Sequence, residues 1–278
     1  MQENRIGSLE LLSYFRFEAY RNVTNIVTTR TGGRSTGNYK SLNLGLHVGD
    51  DPNTVLENRA LLAQGLAIEP ESFTLAEQIH KTKISVVKAN HLGRGAVVVG
   101  DALSRSDALV SNVPDIPMMI LVADCVAVSV YDPTQHAVGL IHAGWKGTVA
   151  RIVESVINKM ELAYESDPKE LVVGLSPAIG KGHYEVGEEV LTAYRDAFGR
   201  EVTSQYIQED MDGTCYLDLW GVNQWQLEEC GVLAENIEVS KLCTACHPER
   251  FYSHRHDGGK TGRFGNLVML HSSSQRQY

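Results

Sequence analysis

The sequence has no apolar run long enough to cross a bilayer, and its first residues lead into no apolar signal core. Cysteine is sparse as well. Five cysteines in 278 residues is an odd number, which does not suit a disulfide framework. These absences argue against a membrane partner and against an exported protein held together by disulfides. We therefore expect a cytoplasmic protein whose thiols are reduced.

The chain has fewer positively charged than negatively charged side chains. Lysine and arginine number 25 against 34 aspartates and glutamates, which leaves a net charge of −9. Such a chain presents no general attractive field to nucleic acid, so we expect no nucleic-acid partner. The same charge would repel anionic substrates. Any phosphate would therefore have to be held by a local cluster of Arg and Lys.

Several motifs that carry chemistry are missing too. There is no G-x-x-x-x-G-K-[ST], no G-x-G-x-x-G after a strand and no G-x-S-x-G. The paired H-x-E and P-C-x-x-C patterns of zinc deaminases are also absent. Any deamination by this chain would thus use a different arrangement of ligands.

What is present is the composition of an ordinary globular protein, with 43% hydrophobic and 21% charged residues. Strand and helix patterns alternate irregularly, without the regular βαβ cadence of a dinucleotide-binding domain. We predict an α/β fold of mixed α+β character, layered, with mixed β-sheets and helices on the outer faces. Because no repeat or linker is found, we expect residues 1–278 to form a single catalytic domain.

Local patterns predict the individual elements. Asp51 before Pro52 is typical of a helix start, and an apolar stripe at helical spacing runs from Ile152 to Met160. Further helices are predicted at Gly187–Phe198 and Asp218–Cys230. The predicted strands are Leu11–Tyr20, Val23–Thr29, Ile84–Lys88, Ala96–Val99, Leu121–Tyr131, Ala137–His142 and Leu171–Leu175.

A predicted hairpin brings two chemically active side chains together. The segment from Asp132 to Gln135 is typical of a type I turn, and a turn centred there pairs Cys125 with His142. Directly opposed residues have Cβ atoms ~5 Å apart, which would let a thiolate and an imidazole share a metal ion. A longer turn would shift this register by one residue.

A cysteine in a strand is more often packed in a core than bound to a metal. Asp124 changes that balance, because a carboxylate at the end of an apolar strand is costly to bury. Strand alternation would point Asp124 and Cys125 to opposite faces unless a bulge re-aims one of them. Two chemistries remain open: His142 deprotonates Cys125 for nucleophilic attack, or both ligate Zn²⁺ with a third group.

Two other motifs have less direct interpretations. His80 considered alone is typical of a surface histidine at a strand end. Cys243-Thr-Ala-Cys246-His247 matches the attachment signature of c-type haem, but haem attachment requires export. A structural zinc or a redox pair lacks partners at the usual spacing, so we expect ordinary buried or surface thiols there.

Short segments along almost the whole chain form one further pattern. They are Thr29-Arg-Thr-Gly-Gly33, Ser41-Leu-Asn-Leu-Gly45, His47-Val-Gly-Asp-Asp51, Glu57-Asn-Arg59, Gln78-Ile-His80, Asp107-Ala-Leu-Val110, Ala123-Asp-Cys125, His142-Ala-Gly-Trp-Lys-Gly147, Tyr184-Glu-Val-Gly187, Cys243-Thr244 and Thr261-Gly-Arg263. Together these segments resemble the laccase-domain, or polyphenol-oxidase-like, family.

The resemblance implies a zinc ion held by His80, Cys125 and His142, which would also be catalytic, and a layered α/β fold with mixed sheets. It further implies a purine nucleoside phosphorylase, with purine nucleosides and phosphate as partners. Adenosine, inosine and S-methyl-5′-thioadenosine would be split into base and sugar 1-phosphate. Adenosine deaminase activity would accompany this reaction.

Roles for further residues follow as predictions within that reaction. Asp124 is expected to move protons during deamination. For phosphate and ribose, the predicted contacts are Arg30, Asn43, Arg59 and Arg255.

The chain departs from the family pattern at three places. Lys146 replaces the usual arginine of H-A-G-W-R-G, which keeps the charge but loses the bidentate fork. Gly182-His183 stands where many members carry a cysteine pair, and Ser253-His-Arg-His256 replaces Ser-Tyr-Arg-Arg. The last two departures bear on substrate contacts more than on the metal site.

Two rival functions remain open. One is a copper-dependent polyphenol oxidase, the activity behind the family's older name. His254 and His256 form the only H-x-H pair, whereas multicopper oxidases gather several, which weakens this alternative. The other is a hydrolase that uses Cys125 and His142 without metal.

Overall fold

The computed structural model describes residues 1–272. Within these residues the chain forms fifteen strands. They are β1 (Gln2–Ile6), β2 (Leu9–Ser13), β3 (Val23–Thr28), β4 (Thr74–Leu75), β5 (Ile84–Val86), β6 (Ala108–Ser111), β7 (Met118–Val122), β8 (Val126–Asp132), β9 (Ala137–Ala143), β10 (Val172–Leu175), β11 (Glu185–Val186), β12 (Ile207–Glu209), β13 (Cys215–Leu217), β14 (Ile237–Val239) and β15 (Phe264–Leu270).

The same residues form five α-helices, and no helix among them is both long and apolar enough to cross a membrane. The α-helices are α1 (Pro52–Gly65), α2 (Trp145–Val149), α3 (Ile152–Tyr164), α4 (Glu188–Tyr206) and α5 (Leu219–Glu229). Single 3-10 turns lie at Phe17–Ala19, Gly37–Tyr39, Pro70–Ser72, Ala89–His91, Val99–Asp101, Pro168–Glu170 and Ala234–Asn236.

Two six-stranded mixed sheets form the body of the molecule. The first has the strand order β1-β2-β3-β15-β7-β4 and the second β14-β10-β8-β9-β6-β5. A small three-stranded sheet, β11-β13-β12, lies apart from them. Most neighbouring strands are antiparallel, but β4 pairs with β7, β5 with β6 and β10 with β14 in parallel. The predicted mixed sheets are therefore confirmed.

Strand alternation divides the core into three apolar layers. Odd and even residues of the same strands enter different layers: Val128 and Val130 of β8 pack toward α3 and α5, whereas Ala127 and Tyr131 pack toward the first sheet. The opposite face of the first sheet packs against α1. The two sheets thus face each other with helices outside them, as predicted.

A short polar chain crosses the interface between the sheets. The Asn25 side-chain amide donates to Ser129 Oγ at 2.7 Å, and the Ser129 hydroxyl donates to Asn266 Oδ1 at 3.3 Å. All three residues are buried. Because hydrogen bonds need defined geometry, this chain joins β3 and β15 of one sheet to β8 of the other at a fixed position.

The prediction of one continuous strand from Leu121 to Tyr131 is wrong. This segment contains the end of β7, in the first sheet, and most of β8, in the second. Residues Ala123 to Cys125 carry the chain across from one sheet to the other, and Asp124 takes a left-handed backbone conformation with φ of 86°. Both strands are buried along their length, so their apolar pattern continues through the crossover.

The predicted hairpin exists, but its register is shifted. Ala127, rather than Cys125, lies opposite His142, and Val126 lies opposite Ala143. The turn is longer than predicted, because the Asp132 carboxylate accepts hydrogen bonds from the backbone N–H groups of Thr134 and Gln135. Cys125 therefore lies just before β8 begins.

Of the other predicted helices and strands, some are confirmed and some are wrong. Asp51 caps α1, as predicted, and the α3 stripe from Ile152 to Met160 is fully buried. The helices predicted at Gly187–Phe198 and Asp218–Cys230 appear as α4, which continues beyond a kink at Gly199, and α5. Residues 96–99 form turns rather than a strand, and residues 14–20 leave β2 for a 3-10 turn.

Gly174, in the middle of β10, has no room for a side chain. An added Cβ would lie 2.4 Å from ring carbons of the buried Tyr14. We expect Gly174→Ala to lower the free energy of unfolding by about 1–3 kcal/mol, because the core cannot take the extra methyl without strain. Urea denaturation measures this change. Gly100→Ala, where a Cβ would meet no atom within 4 Å, is the control, and equal stability of both variants would contradict this packing.

Candidate metal centre

His142 is the most firmly held of the three predicted ligands. It lies near the end of β9, is buried, and its Nδ1 is 2.9 Å from Oδ1 of the buried Asp107. Its backbone N–H also donates to the Asp107 carbonyl at 2.7 Å. With Nδ1 bound to the carboxylate, Nε2 is the ring nitrogen that remains to bind a metal. Metal-ligating histidines are commonly oriented in this way.

His80 is held by the same carboxylate. It lies in the loop between β4 and β5, with a left-handed φ of 58°. The backbone N–H groups of Ile79, His80 and Lys81 all donate to Asp107, at 2.8–3.2 Å. A carboxylate that accepts several N–H groups stabilises an otherwise unfavourable turn, and here that turn points the His80 ring toward His142.

Gln78 fastens the other side of the same loop. Its side-chain amide donates to the Leu121 carbonyl and its carbonyl accepts from the Leu121 N–H, both at 2.9 Å. The loop is thereby attached to the end of β7, next to the crossover between the sheets. The His80 loop is thus fixed to both sheets, through Asp107 on one side and Leu121 on the other.

Cys125 is the last residue of that crossover. Gly144 leaves space for its sulfur: a Cβ on Gly144 would lie 2.9 Å from Cys125 Sγ and 3.3 Å from a His80 ring carbon. The glycine of the His142-Ala-Gly144 segment is therefore required by the close approach of the ligands.

The structure brings His80, Cys125 and His142 together. One ligand atom from each lies within 4.8 Å of the others, and the two histidine rings meet edge to face with centroids 4.6 Å apart. A thiolate and two imidazoles are donors that zinc accepts readily, and three protein ligands leave a tetrahedral ion one further position. The residues present therefore fit a zinc ion. The donor types also suit copper.

The three groups alter one another's ionisation. Burial opposes the thiolate of Cys125, but the charge and hydrogen bonds of His142 and then His80 outweigh it and lower the pKa of Cys125 to about 6. Burial likewise opposes a charged His142, but the Cys125 thiolate and the Asp107 carboxylate raise its pKa to about 9. The Cys125 sulfur is therefore ready to act as a thiolate at neutral pH.

The three ligands line a cavity of about 620 Å³. This volume is within the usual range for small-molecule sites. The lining also includes apolar and aromatic side chains and three cationic ones. The former include Ile179, Leu219, Trp145 and Tyr184, and the latter are Lys146, Arg255 and Arg263.

His47 also lines this cavity. Burial, and then the nearby charges of Arg263 and Arg59, lower the pKa of His47 to about 4. Its ring is consequently neutral at physiological pH. It can donate one hydrogen bond and accept another without adding positive charge.

Asp124 lines the cavity beside Cys125 and is buried. Its Oδ1 accepts a hydrogen bond from the hydroxyl of Thr244 at 2.6 Å. Its Oδ2 accepts one from the backbone N–H of Arg255, also at 2.6 Å. The carboxylate thereby joins the crossover to two later segments. The sequence left open whether Asp124 shares a face with Cys125, and the left-handed crossover brings both to the cavity.

Of the four predicted substrate contacts, only Arg255 lines the cavity. Its guanidinium lies 5.4 Å from the centre of the Tyr184 ring. Arg30, Asn43 and Arg59 bind within the protein instead. Arg30 donates to the carbonyls of Lys40 and Pro248, Asn43 to Gly45 and Asp50, and Arg59 to Leu44, Gly95 and Ala96. We leave these three out of the proposed substrate site.

Three residues near the site were not singled out by the sequence as functional: Asp107, Arg263 and His47. Asp107 could have been noticed, since a carboxylate directly before the apolar residues 108–110 needs partners in order to be buried. Arg263 and His47 come close only through the tertiary fold, and no local pattern distinguishes them from other polar loop residues.

The sequence is similar along most of its length to a family model and to several known proteins. Residues 24–271 match the family model described as multi-copper polyphenol oxidoreductase laccase. A purine nucleoside phosphorylase of Bacteroides thetaiotaomicron is 34% identical over 261 residues, which cover 94% of this chain and 96% of that protein. Adenosine deaminase RL5, from an unknown prokaryotic organism, is 30% identical over 236 residues, 85% and 89% of the two chains.

The fold is also similar to that of a solved structure. The crystal structure of YlmD from Geobacillus stearothermophilus superimposes with a TM-score of 0.91 at 33% identity. The match covers 98% of both chains. The layered fold described above is therefore that of this group of proteins.

We expect Asp107→Asn to weaken zinc binding by about 10- to 100-fold, because an amide cannot accept all the hydrogen bonds that hold His80 and His142. Competition with a chromophoric chelator measures the affinity. Asp132→Asn is the control, since Asp132 is equally buried and caps the far turn of the β8–β9 hairpin. Equal zinc affinity of wild type and Asp107→Asn would contradict this role.

In protein stripped of metal, we expect iodoacetamide to alkylate Cys125 at a rate set by its thiolate fraction. Because the pKa of Cys125 is lowered to about 6, the rate should be level above neutral pH and fall as the pH drops through 6. Peptide mass spectrometry over a pH series measures this. Cys230, whose pKa burial raises to about 11, is the internal control. Equal rates at both residues would contradict the assignment.

Proposed function

Because the chain belongs to the multi-copper polyphenol oxidoreductase laccase family, we propose that it is a zinc-dependent purine nucleoside phosphorylase. Its substrates would be adenosine, inosine and S-methyl-5′-thioadenosine, together with phosphate. One observation carries the proposal: the His80, Cys125 and His142 ligands line the same cavity as three cationic side chains and two aromatic ones. Lys146 Nζ is 5.2 Å from the centre of the Trp145 ring and the Arg255 guanidinium 5.4 Å from that of Tyr184. A nucleoside and an inorganic anion need apolar and cationic groups close to each other in this way.

The cationic side chains of the lining would hold phosphate. Lys146, Arg255 and Arg263 all line the cavity, within a chain whose net charge is −9. Such local positive charge is what phosphate binding requires of an acidic protein. Lys146 supplies a single charge on a flexible side chain, whereas a guanidinium group has several donors and can bind more than one oxygen. Arg255 and Arg263 each use Nη1 for backbone carbonyls.

The apolar and aromatic side chains of the lining would hold the purine. Tyr184, Trp145, Ile179 and Leu219 supply apolar surface against which a flat base can pack. His47, neutral at physiological pH, offers both a donor and an acceptor to a polar edge of the nucleoside.

In the proposed reaction, a phosphate oxygen forms a bond to C1′ of the ribose while the bond from C1′ to the purine nitrogen breaks. The electrons of that bond move onto the departing base, which takes up the proton that the phosphate loses. A bound zinc ion would supply positive charge that stabilises this developing negative charge. His80, Cys125 and His142 would hold the ion, and the Asp107 hydrogen bonds would keep both imidazoles in position.

Deamination of adenosine is a second activity that the same cavity could support. It exchanges the amino group at C6 for oxygen from water, so a group beside the reacting atom must move protons. Asp124 is a carboxylate in the cavity wall next to Cys125. The similarity to a protein named adenosine deaminase favours this candidate. We propose Asp124 for this proton-transfer role.

Two rivals are separable from the proposal by metal analysis. A polyphenol oxidase would bind several copper ions, whereas the proposed enzyme binds zinc. Among residues 1–272, His254 and His256 belong to no group of three possible ligands, so the H-x-H pair forms no further centre there. A metal-free cysteine hydrolase would keep its activity in the presence of a chelator.

We expect the purified protein to release hypoxanthine from inosine only when phosphate is present. Cys125→Ala and His142→Ala should each lower the rate by at least ~100-fold, since each removes one of three ligands. A coupled xanthine oxidase assay measures hypoxanthine release.

The matched control is Cys230→Ala, a half-buried cysteine at the C-terminal end of α5 that belongs to no group of possible metal ligands in the described part of the chain, and this variant should retain full activity. Release of hypoxanthine that does not depend on phosphate would contradict phosphorolysis. Activity that survives Cys125→Ala unchanged would contradict the metal centre as the place of the reaction.

A further inference from the structure

A second group of possible metal ligands lies outside the centre described above. It consists of His183, Cys243 and Cys246, whose ligand atoms all lie within 4.8 Å of one another. The two cysteines flank a turn that follows β14, and His183 lies in the loop between β10 and β11. The sequence contained the C-x-x-C pair but no partner at a usual spacing. The fold supplies one from sixty residues earlier in the chain.

The distances within this group match those around a tetrahedral ion. His183 Nδ1 is 3.8 Å from Cys243 Sγ and 3.5 Å from Cys246 Sγ. Bonds of ~2.3 Å to sulfur and ~2.1 Å to nitrogen, at tetrahedral angles, separate the two ligand atoms by about 3.6 Å. The imidazole thus already lies at the distance from each sulfur that one zinc ion requires, and the two sulfurs lie within 4.8 Å of each other.

We propose that His183, Cys243 and Cys246 bind a second zinc ion, distinct from the ion held by His80, Cys125 and His142. Two thiolates and one imidazole are donors that zinc prefers over calcium or magnesium. Cys243 is buried, whereas Cys246 and His183 are exposed. The ion can therefore enter from solvent, and water can take its fourth position.

The loop that carries His183 is fitted closely to Cys243. The Gly180 N–H donates to Cys243 Sγ at 3.2 Å, a hydrogen bond that fixes the position of the sulfur. A Cβ on Gly180 would lie 3.2 and 3.3 Å from Cβ and Sγ of Cys243, so the absence of a side chain permits this close approach. The His183 N–H donates to the Gly180 carbonyl at 2.9 Å, which returns the loop toward the cysteines.

The position of this site gives the ion a structural role. It would join the loop that carries Ile179 and Tyr184 to the turn that carries Thr244. Ile179 and Tyr184 line the substrate cavity, and Thr244 donates its hydroxyl to Asp124. The ion would thus link the loop that carries two lining residues to the turn that binds Asp124. None of its three ligands lines the cavity.

Metal content tests the proposal directly. We expect fully reduced wild-type protein, equilibrated with buffered zinc and then desalted, to retain two zinc ions per chain. Cys246→Ser and His183→Ala should each retain one. Both positions are exposed and lie on different segments, so loss of zinc in both variants would not reflect misfolding of one segment. Cys215→Ser, a cysteine outside both groups, is the matched control and should retain two.

Cobalt substitution distinguishes the two sites. Cobalt bound to a thiolate has a strong near-ultraviolet absorption band. In the Cys125→Ser variant this band can arise only from the second site, so it should remain there and disappear when Cys246→Ser is added. This readout does not depend on nucleoside turnover. The phosphorylase proposal could therefore fail while the second site is confirmed, or the reverse.

Three outcomes would overturn the proposal. The first is a single zinc ion per chain in reduced wild type, unchanged by Cys246→Ser. The second is loss of the cobalt band on Cys125→Ser alone. The third is a disulfide between Cys243 and Cys246 that excludes zinc and reforms at once after reduction.

Discussion

The candidate metal centre depends above all on the hydrogen bonds of one buried carboxylate. Asp107 binds the Nδ1 of His142 and also accepts the three N–H groups that shape the His80 loop. A buried charge is costly unless it is compensated, and here every compensating group belongs to a ligand or to its loop. The energy that keeps Asp107 charged therefore also holds two histidines from distant parts of the chain within reach of one ion.

The third ligand is placed by topology rather than by a hydrogen bond. The chain leaves the first sheet after Val122 and enters the second at Val126, so Cys125 lies where the two sheets are joined by the chain itself. The left-handed Asp124 makes this step short enough to turn both side chains toward the cavity. The lining of the cavity is completed by other segments, among them the one that leads into β15 and contributes Arg255 and Arg263.

Much of this arrangement was predictable from sequence, and the parts that were not have physical reasons. The spacing of Ile152 to Met160 and the cap at Asp51 are local signals, so α3 and α1 were correctly predicted. The crossover at Ala123 to Cys125 was missed because β7 and β8 are buried on both faces, which leaves no change in apolar periodicity. The hairpin argument found the right strands but the wrong register, since Asp132 lengthens the turn through its side chain. Arg263 was not predicted to line the cavity, because tertiary contacts decide which side chains reach it.

The polar chain from Asn25 through Ser129 to Asn266 has a consequence beyond the core. Apolar surfaces can slide over one another at little cost, but these hydrogen bonds hold only one alignment of the two sheets. Gln78 anchors the His80 loop to the first sheet, whereas His142 belongs to the second. Any slippage between the sheets would therefore spread the metal ligands apart. Three uncharged side chains between the sheets thus fix the alignment on which the spacing of the three metal ligands depends.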